Sequence, residues 1–124
     1  MMKTKTYEVT MTVTEDKTAA VLGSGELAVL ATPAMVALME NAAMKCIAGQ
    51  LEAGQTTVGV HMNVEHNKPS ALGAEITARA TLARQEGRTF EFTVEVFEGT
   101  EQIGVGEHTR VAVNAERFMA KLAK

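Results

Sequence analysis

The sequence predicts an α+β protein in which a five-stranded antiparallel sheet wraps around one long central helix. Three observations lead to this fold class. Residues Thr32 to Leu51 are apolar on almost every side, as expected of a helix that lies inside a protein. Five other segments alternate polar and apolar residues with the period of a β-strand. Glycines separate the later segments at positions typical of hairpin turns, namely Gly73, Gly87 and Gly99.

The helix has a clear predicted start. Thr32 can cap it by accepting a hydrogen bond from a free backbone N–H, and Pro33 suits the first helical position. Glu40 lies in the middle of the apolar residues, where burying a lone carboxylate is costly unless it finds partners. Glu40 is therefore the first functional candidate. The competing interpretation is a solvated stripe formed by Glu40, Asn41 and Lys45.

The strands follow from the alternation of residue type. In the second strand, His66 shares the apolar face with the even-numbered residues. In the last strand, His108 and Arg110 fall on the polar face, and a β-bulge near Gly106 would explain why Glu107 breaks the alternation. The residues after the last strand are compatible with a short terminal helix. The five predicted strands are Tyr7 to Val13, Val58 to His66, Glu75 to Leu82, Thr89 to Val96 and Gln102 to Val113.

Length and charge exclude several classes of protein. A chain of 124 residues is long enough for one domain, which we place at residues 1–124. The 12 basic and 15 acidic residues give a net charge of −3, so nothing points to a nucleic-acid partner. No segment has the length needed to cross a bilayer, and the N-terminus lacks the apolar run of a signal peptide. These features predict a cytoplasmic protein without membrane association.

The sequence offers no metal or cofactor site. His61, His66 and His108 lack the spacing of metal ligands, and the single cysteine, Cys46, is expected to pack as a small hydrophobe. One helix on a small sheet leaves apolar helix surface and an unpaired sheet edge, both of which a two-fold partner could cover. We therefore expect a homodimer, and dimers could pair further into a tetramer.

Three residues stand out for their chemistry: Thr32, Glu40 and His66. Eight helical positions separate Thr32 from Glu40, or roughly 12 Å along the axis. Both can therefore line one site only from opposite subunits or across a substrate. His66 ends a strand on the buried face, where it could also be a hydrogen-bonded core histidine. Thr32 could likewise serve only as a helix cap.

Longer motifs connect these residues. The helix reads TPAMVALMENAA, the following strand and turn read TVGVHMNVEHNKPSALG, and the last strand reads IGVGEHTRVAV. Their order and content resemble the fluoroacetyl-CoA thioesterase family of the hot dog fold, over about residues 32–113. The resemblance implies a catalytic set of Thr32, Glu40 and His66. It also implies a homodimer whose active site lies at the subunit interface.

On this interpretation the protein hydrolyses an acyl-CoA thioester to the free acid and CoA. Glu40 would either attack the acyl carbon or activate a water. His66 would hold that water or protonate the leaving thiolate, and Thr32 would orient Glu40 or the thioester. The candidate substrate-binding residues are Gly59, whose backbone N–H could stabilise an oxyanion, Asn63, and the two proposed phosphate contacts Lys68 and Arg110.

The chain departs from the family in one respect. The best-known member guards its pocket with phenylalanines near and before the helix, whereas this chain has no phenylalanine before Phe90. The segment from Glu15 to Gly25 could therefore form a different lid or a plain connection.

Three other functions remain compatible with the sequence. A hydratase or dehydratase acting on acyl-CoA or an acyl carrier protein would use the same fold. A non-catalytic protein that binds acyl-CoA or another small ligand would keep the groove without the chemistry. In a purely structural or partner-binding dimer, Glu40 would be an interface charge.

Overall fold

The computed structural model describes residues 5–123 and confirms the predicted fold class. Its sheet is antiparallel and five-stranded, and one long helix packs mainly against two of the strands. The strands are β1 (Thr6–Thr12), β2 (Gln55–His66), β3 (Glu75–Glu86), β4 (Thr89–Glu98) and β5 (Glu101–Asn114). The helices are α1 (Ala19–Leu22), α2 (Thr32–Cys46) and α3 (Ala115–Ala120), with 3₁₀ turns at Glu15–Lys17 and Ala48–Gln50.

The strand order is β1-β3-β4-β5-β2, so β1 and β2 form the two edges of the sheet. The hairpins β3–β4 and β4–β5 occupy the centre, as the glycine spacing predicts, and β5 pairs with β2 along the whole length of β2. Helix α2 covers one face of β3 and β1. The core between them contains fully buried apolar side chains, among them Met35, Met39, Ile76, Phe92 and Val94.

The start and end of α2 differ from the prediction. The helix ends at Cys46 rather than Leu51, because the chain turns at Ile47 into the 3₁₀ turn. The residue that caps its start is Ala31, and no side chain caps the first turn. The prediction that Thr32 is the cap is therefore wrong, and its hydroxyl is free for another partner. Within residues 5–123, no helix is both long and apolar enough to cross a membrane.

A β-bulge lies in β2 and not near Gly106. The register of β2 against β5 shifts between Gly59 and His61, and the register of β5 against β4 skips Ile103, whereas Gly104 to Glu107 pair without interruption on both sides. The bulge exposes Val60 and changes which residues of β2 face α2. Thr57 and Gly59 face the helix before it, and Met62, Val64 and His66 share that face after it.

The helix-facing side of β5 is also different from the predicted one. His108 and Arg110 are only 1% and 7% exposed, and they lie in register with residues of β2 that face α2. The sequence pattern of β5 predicted that both side chains lie on the polar face, because valines occupy the alternate positions of the strand. A buried polar network reverses that pattern, since each of its groups finds a hydrogen-bond partner.

Gly106→Ala is expected to destabilise the protein by about 2–3 kcal/mol, because the new methyl group would overlap a paired strand. A β carbon there would lie 2.7 Å from Val64 Cα and would also meet the Asn63 carbonyl oxygen. Gly49→Ala is the matched control, since nothing lies within 4 Å of its β carbon. Urea unfolding should give a lower midpoint for Gly106→Ala only, and equal midpoints would contradict this packing.

Candidate active site

Thr32 and His66 meet where α2 begins and β2 ends. Thr32 Oγ1 and His66 Nδ1 lie 2.7 Å apart, within hydrogen-bond distance. The bulge in β2 turns His66 to the face that carries α2, and the absence of a cap bond leaves the Thr32 hydroxyl free. The tertiary structure thus joins two residues that are 34 positions apart.

His66 has one ring nitrogen without a partner. Its Nε2 is buried and makes no hydrogen bond to any residue of the described chain. Burial lowers the pKa of His66 below its ordinary value of 6.5, and the nearby backbone of Lys68 opposes this shift. A neutral imidazole held by Thr32 through Nδ1 can therefore offer Nε2 to a reacting group.

An open cavity of about 310 Å³ adjoins this pair. Its walls come from the segment before α2 and from the turn that follows β2. Both apolar and polar residues line the cavity, which suits a ligand with an acyl chain and a polar carbonyl. The residues that line it include Ala19, Val29, Leu30, Asn67 and Lys68.

A second group of polar side chains surrounds Gly59. A β carbon on Gly59 would lie 3.0 Å from Glu40 Oε2, 3.0 Å from His108 Cε1 and 3.4 Å from Arg110 Nη1. A larger residue would therefore push these groups apart. In residues 5–123, no ion pair within 4.0 Å joins Glu40 to Arg110. The half-buried carboxylate thus faces a buried cation across a small space.

Arg110 is fixed by hydrogen bonds from all three of its nitrogens. Nε donates to Thr57 Oγ1 at 2.9 Å, and Nη2 donates to the Thr57 carbonyl oxygen at 2.9 Å. Nη1 donates to His108 Nε2 at 3.1 Å. His108 in turn donates from Nδ1 to the His61 carbonyl oxygen at 2.8 Å. The guanidinium is therefore held in one orientation beneath Glu40.

These bonds also define the protonation state of His108. A carbonyl oxygen can only accept, so the proton is on Nδ1 and Nε2 is free to accept from Arg110. Burial lowers the pKa of His108, and the Arg110 cation lowers it further, while the bond to His61 and the charge of Glu40 oppose the shift. Burial also lowers the pKa of Arg110, which the charge of Glu40 opposes. A neutral His108 beside a charged Arg110 satisfies the whole network.

The sequence-based site and the structural site overlap only in part. In this chain, the structure pairs Thr32 with His66 and groups Glu40 with Gly59 and Arg110. It also adds His108 and Thr57, which the sequence analysis did not place at the site. The motif IGVGEHTR contained the signal for His108, but strict alternation assigned it to the wrong face of β5.

The other two predicted substrate-binding residues, Asn63 and Lys68, lie in different places. Asn63 is exposed on the other face of the sheet, in register with Glu107. Lys68 lines the cavity beside His66, and its Nζ donates to Glu101 Oε2 at 2.6 Å on the exposed surface.

Thr57→Val is expected to lower the free energy of unfolding by about 1–3 kcal/mol, because Arg110 Nε would lose its acceptor in a buried site. The change keeps the shape of the side chain and removes only the hydroxyl. Thr10→Val is the control, since the Thr10 hydroxyl bonds to Thr77 on the exposed surface. Guanidinium unfolding of both variants measures the difference; a Thr57→Val variant as stable as Thr10→Val would show that the Arg110 network contributes nothing.

Comparisons with known proteins identify the family of this chain. The family of fluoroacetyl-CoA-specific thioesterases matches residues 13–116. A fluoroacetyl-CoA thioesterase from Streptantibioticus cattleyicolor is 36% identical over 94 residues, which span 76% of this chain and 68% of that protein.

Solved structures extend the similarity to nearly the whole chain. A structure of the fluoroacetyl-CoA thioesterase is 33% identical, covers 98% of this chain and 95% of its own, and superposes with a TM-score of 0.90. A hypothetical protein of Thermus thermophilus, described as a thioesterase superfamily member, is 26% identical, with coverages of 98% and 90% and a TM-score of 0.88. The chain therefore has the hot dog fold and belongs to the fluoroacetyl-CoA-specific thioesterase family.

Proposed function

We propose that this thioesterase hydrolyses an acyl-CoA to the free acid and CoA with Thr32, Glu40 and His66, at a site shared by two subunits. Family membership makes the chain an acyl-CoA thioesterase. The observation that carries the finer proposal is the unpartnered Nε2 of His66, held in place through Nδ1 by Thr32 beside an open cavity. A buried imidazole nitrogen without a partner is costly unless a ligand or water uses it.

A dimer would unite the two groups of residues. Strand β2 is a 12-residue edge whose backbone can pair with a second copy. An antiparallel two-fold pairing of β2 with itself places the His66 end of one strand against the Gln55 end of the other. The Thr32–His66 pair of one subunit would then lie nearer to the Glu40 group of its partner than to that of its own chain, as the distance along α2 requires.

In the proposed reaction, Glu40 acts on the carbonyl carbon of the thioester. It either forms a mixed anhydride or removes a proton from the attacking water. The carbonyl oxygen gains negative charge, which the backbone N–H at Gly59 stabilises, since no side chain there blocks a close approach. The C–S bond then breaks, and the neutral ring of His66 takes a proton from the attacking water and passes it to the leaving thiolate. In the anhydride route, that same water then hydrolyses the anhydride to the free acid and regenerates Glu40.

The roles of the other candidate substrate-binding residues are proposed from where their side chains lie in the fold. Arg110 acts near Glu40 at the reacting end and not on CoA phosphates, because its guanidinium is buried and faces the carboxylate. Lys68 contacts the substrate at the mouth of the cavity beside His66. Asn63 would meet substrate only if the second subunit brings it there, since it faces away from both groups in its own chain.

The segment before α2 suggests an acyl pocket without an aromatic wall. The residues from this segment that line the cavity are Ala19, Ser24, Val29 and Leu30. The acyl preference of the fluoroacetyl-CoA thioesterase therefore need not apply to this chain, and a panel of substrates is needed. We expect release of free CoA thiol from at least one short, branched, aromatic or long acyl-CoA. Hydration of crotonyl-CoA without thiol, or saturable binding without turnover, would contradict the proposal.

The dimer is tested through the exposed bulge of β2. We expect the native mass to equal that of two chains, and Val60→Asp to lower it to one because a charge would be placed in the paired edge. Val21→Asp is the control, since Val21 is 58% exposed and Val60 is 59% exposed, but only Val60 lies on this edge. A Val60→Asp protein that remains dimeric would show that the interface lies elsewhere.

A further inference from the structure

Arg110 is a buried cation whose hydrogen-bond acceptors carry no charge. These acceptors are the Thr57 hydroxyl, the Thr57 carbonyl oxygen and the neutral Nε2 of His108. In residues 5–123, no carboxylate forms an ion pair with this guanidinium within 4.0 Å. The residue is nevertheless only 7% exposed. Because a buried charge usually pairs with an opposite one, the guanidinium should be strongly attracted to any carboxylate nearby.

Glu40 supplies that carboxylate. Glu40 Oε2 and Arg110 Nη1 both lie within 3.4 Å of one point, the place that a β carbon of Gly59 would occupy. A shift of a few ångströms would therefore bring them into a direct ion pair. Such a pair would be favourable, since opposite charges attract more strongly inside a protein than in water. The separation of the two groups thus requires a restraint.

The restraint acts on Arg110 from two strands. Thr57 on β2 accepts from Nε and from Nη2, both at 2.9 Å. His108 on β5 accepts from Nη1 at 3.1 Å. Nη1 is also the Arg110 atom that comes closest to the place of the absent Gly59 β carbon. The bond to His108 therefore holds the very nitrogen that would otherwise pair with Glu40.

His108 is itself held from both neighbouring strands. Its Nδ1 donates to the His61 carbonyl oxygen on β2 at 2.8 Å. On the other side its ring stacks on Phe92 of β4, with the ring centroids 6.2 Å apart. The side chain is only 1% exposed, so there is little room for another rotamer. Because the ring is fixed in this way, it cannot follow Arg110 toward Glu40.

A neutral histidine suits this position chemically. One ring nitrogen donates and the other accepts, so a single side chain can join the His61 carbonyl oxygen to the Arg110 guanidinium. A carboxylate in its place would pair with Arg110 and compensate its charge. The neutral ring instead fixes the cation and leaves its charge directed at Glu40.

We infer that His108 is a positioning residue for the thioesterase reaction. It holds Arg110 near the Glu40 carboxylate but apart from it, which leaves the carboxylate oxygens free to act on the thioester. Both ring nitrogens of His108 already have partners, so the ring acts through Arg110 and not on the substrate. The inference rests on the proposed function, because it takes Glu40 as the reacting group.

The first test compares His108→Gln with His108→Asn. Glutamine can place its amide oxygen near the position of Nε2, where it accepts from Arg110. Asparagine is one bond shorter and reaches only the position of Nδ1, beside the His61 carbonyl oxygen. We expect kcat of His108→Asn to fall by about 10- to 100-fold with KM nearly unchanged, since misplacing a reacting group by about 1 Å has an effect of this size. His108→Gln should recover most of the loss, and equal kcat values for the two variants would overturn the inference.

A double variant distinguishes positioning from a general loss of packing. If His108 acts through Arg110, His108→Asn should cause no further fall in kcat once Arg110→Met is present. Losses that multiply would show a merely structural role and would overturn the inference. Ile76→Ala is the control for lowered stability, because Ile76 is fully buried in β3, which is not adjacent to β5. Its kcat should equal that of the wild type.

Crystal structures of the wild type and of His108→Asn test the restraint without turnover. Arg110 and Glu40 should stay apart in the wild type and form an ion pair within 4.0 Å in the variant. An unmoved Arg110 in the variant would overturn the inference. If His108→Asn does not fold, Thr57→Val takes its place, because it releases Nε of the same guanidinium from β2. Its kcat should also fall, and full kcat in Thr57→Val would count against the restraint.

These experiments show separately whether the inference or the proposed function fails. Full kcat in His108→Asn, together with lost activity in Glu40→Gln, would keep Glu40 in the mechanism and overturn the role of His108. An Arg110–Glu40 ion pair in His108→Asn, together with full activity in Glu40→Gln, would confirm the restraint but remove Glu40 from the reaction. In that case the proposed function fails, and the positioning role fails with it.

Discussion

Glu40→Gln is expected to lower kcat for the best acyl-CoA by about 10²- to 10⁴-fold, the usual contribution of a positioned base or nucleophile. The amide keeps the size of the side chain but can neither attack the thioester nor accept a proton from water. Arg110 and His108 would remain in place, because Thr57 and the His61 carbonyl oxygen hold them. The loss should therefore appear in kcat and leave KM nearly unchanged.

The control for Glu40→Gln is Glu65→Gln, which removes a carboxylate from an exposed position of β2. Circular dichroism and native mass should be the same for both variants and the wild type. Full activity in a folded Glu40→Gln dimer would remove Glu40 from the mechanism. Hydroxylamine added during turnover tells the two roles apart, because only a mixed anhydride converts Glu40 to a hydroxamate that mass spectrometry detects.

His66→Ala is expected to lower kcat/KM by a similar factor of about 10²- to 10⁴-fold, because it removes Nε2, the buried ring nitrogen that has no partner among the described residues. Thr32→Val should give a smaller loss, since His66 keeps Nε2 but loses the bond that orients the ring. The matched control is His61→Ala, whose side chain is exposed while its backbone carbonyl still accepts from His108. Equal activity of His66→Ala and His61→Ala would rule out a catalytic role for His66.

The pH dependence of kcat/KM follows from the lowered pKa of His66. Burial favours the neutral ring, so the neutral form persists as the pH falls below 6.5, the ordinary value. Activity that needs neutral His66 is complete above that pH and is lost as the pH falls through the lowered pKa. The same direction holds for stability, because the unfolded chain takes up the proton at a higher pH than the folded one. An acid limb centred above pH 6.5 would contradict the burial of this ring.

Much of the fold could be predicted from the sequence, because short-range patterns of residue type indicate the helix, the strands and the hairpin turns. The run of apolar residues in α2, the period of two in the strands and the glycines of the hairpins each reflect short-range geometry. The motifs around Thr32, Glu40 and His66 likewise identified the family before any contact was known. Their catalytic roles remain predictions, which the variants above test.

Other features depended on contacts between residues far apart in the sequence, and the alternation of polar and apolar residues does not indicate such contacts. Thr32 looked like a helix cap, yet its hydroxyl lies against His66, whose distant strand end reaches the start of α2. The bulge at Val60 decides which residues of β2 face the helix, and a single extra residue reverses every side chain beyond it. Burial of Arg110 and His108 became acceptable only because Thr57 and His61 satisfy their hydrogen bonds.

The sequence by itself thus determined the long helix, the five strands, the fold class and the family, since these depend on periodicity and on motifs close together along the chain. Only the tertiary structure decided how the candidate residues group within the chain. The physical reason is that a buried polar group is placed by partners from other strands, and the sheet register that supplies those partners depends on the whole fold.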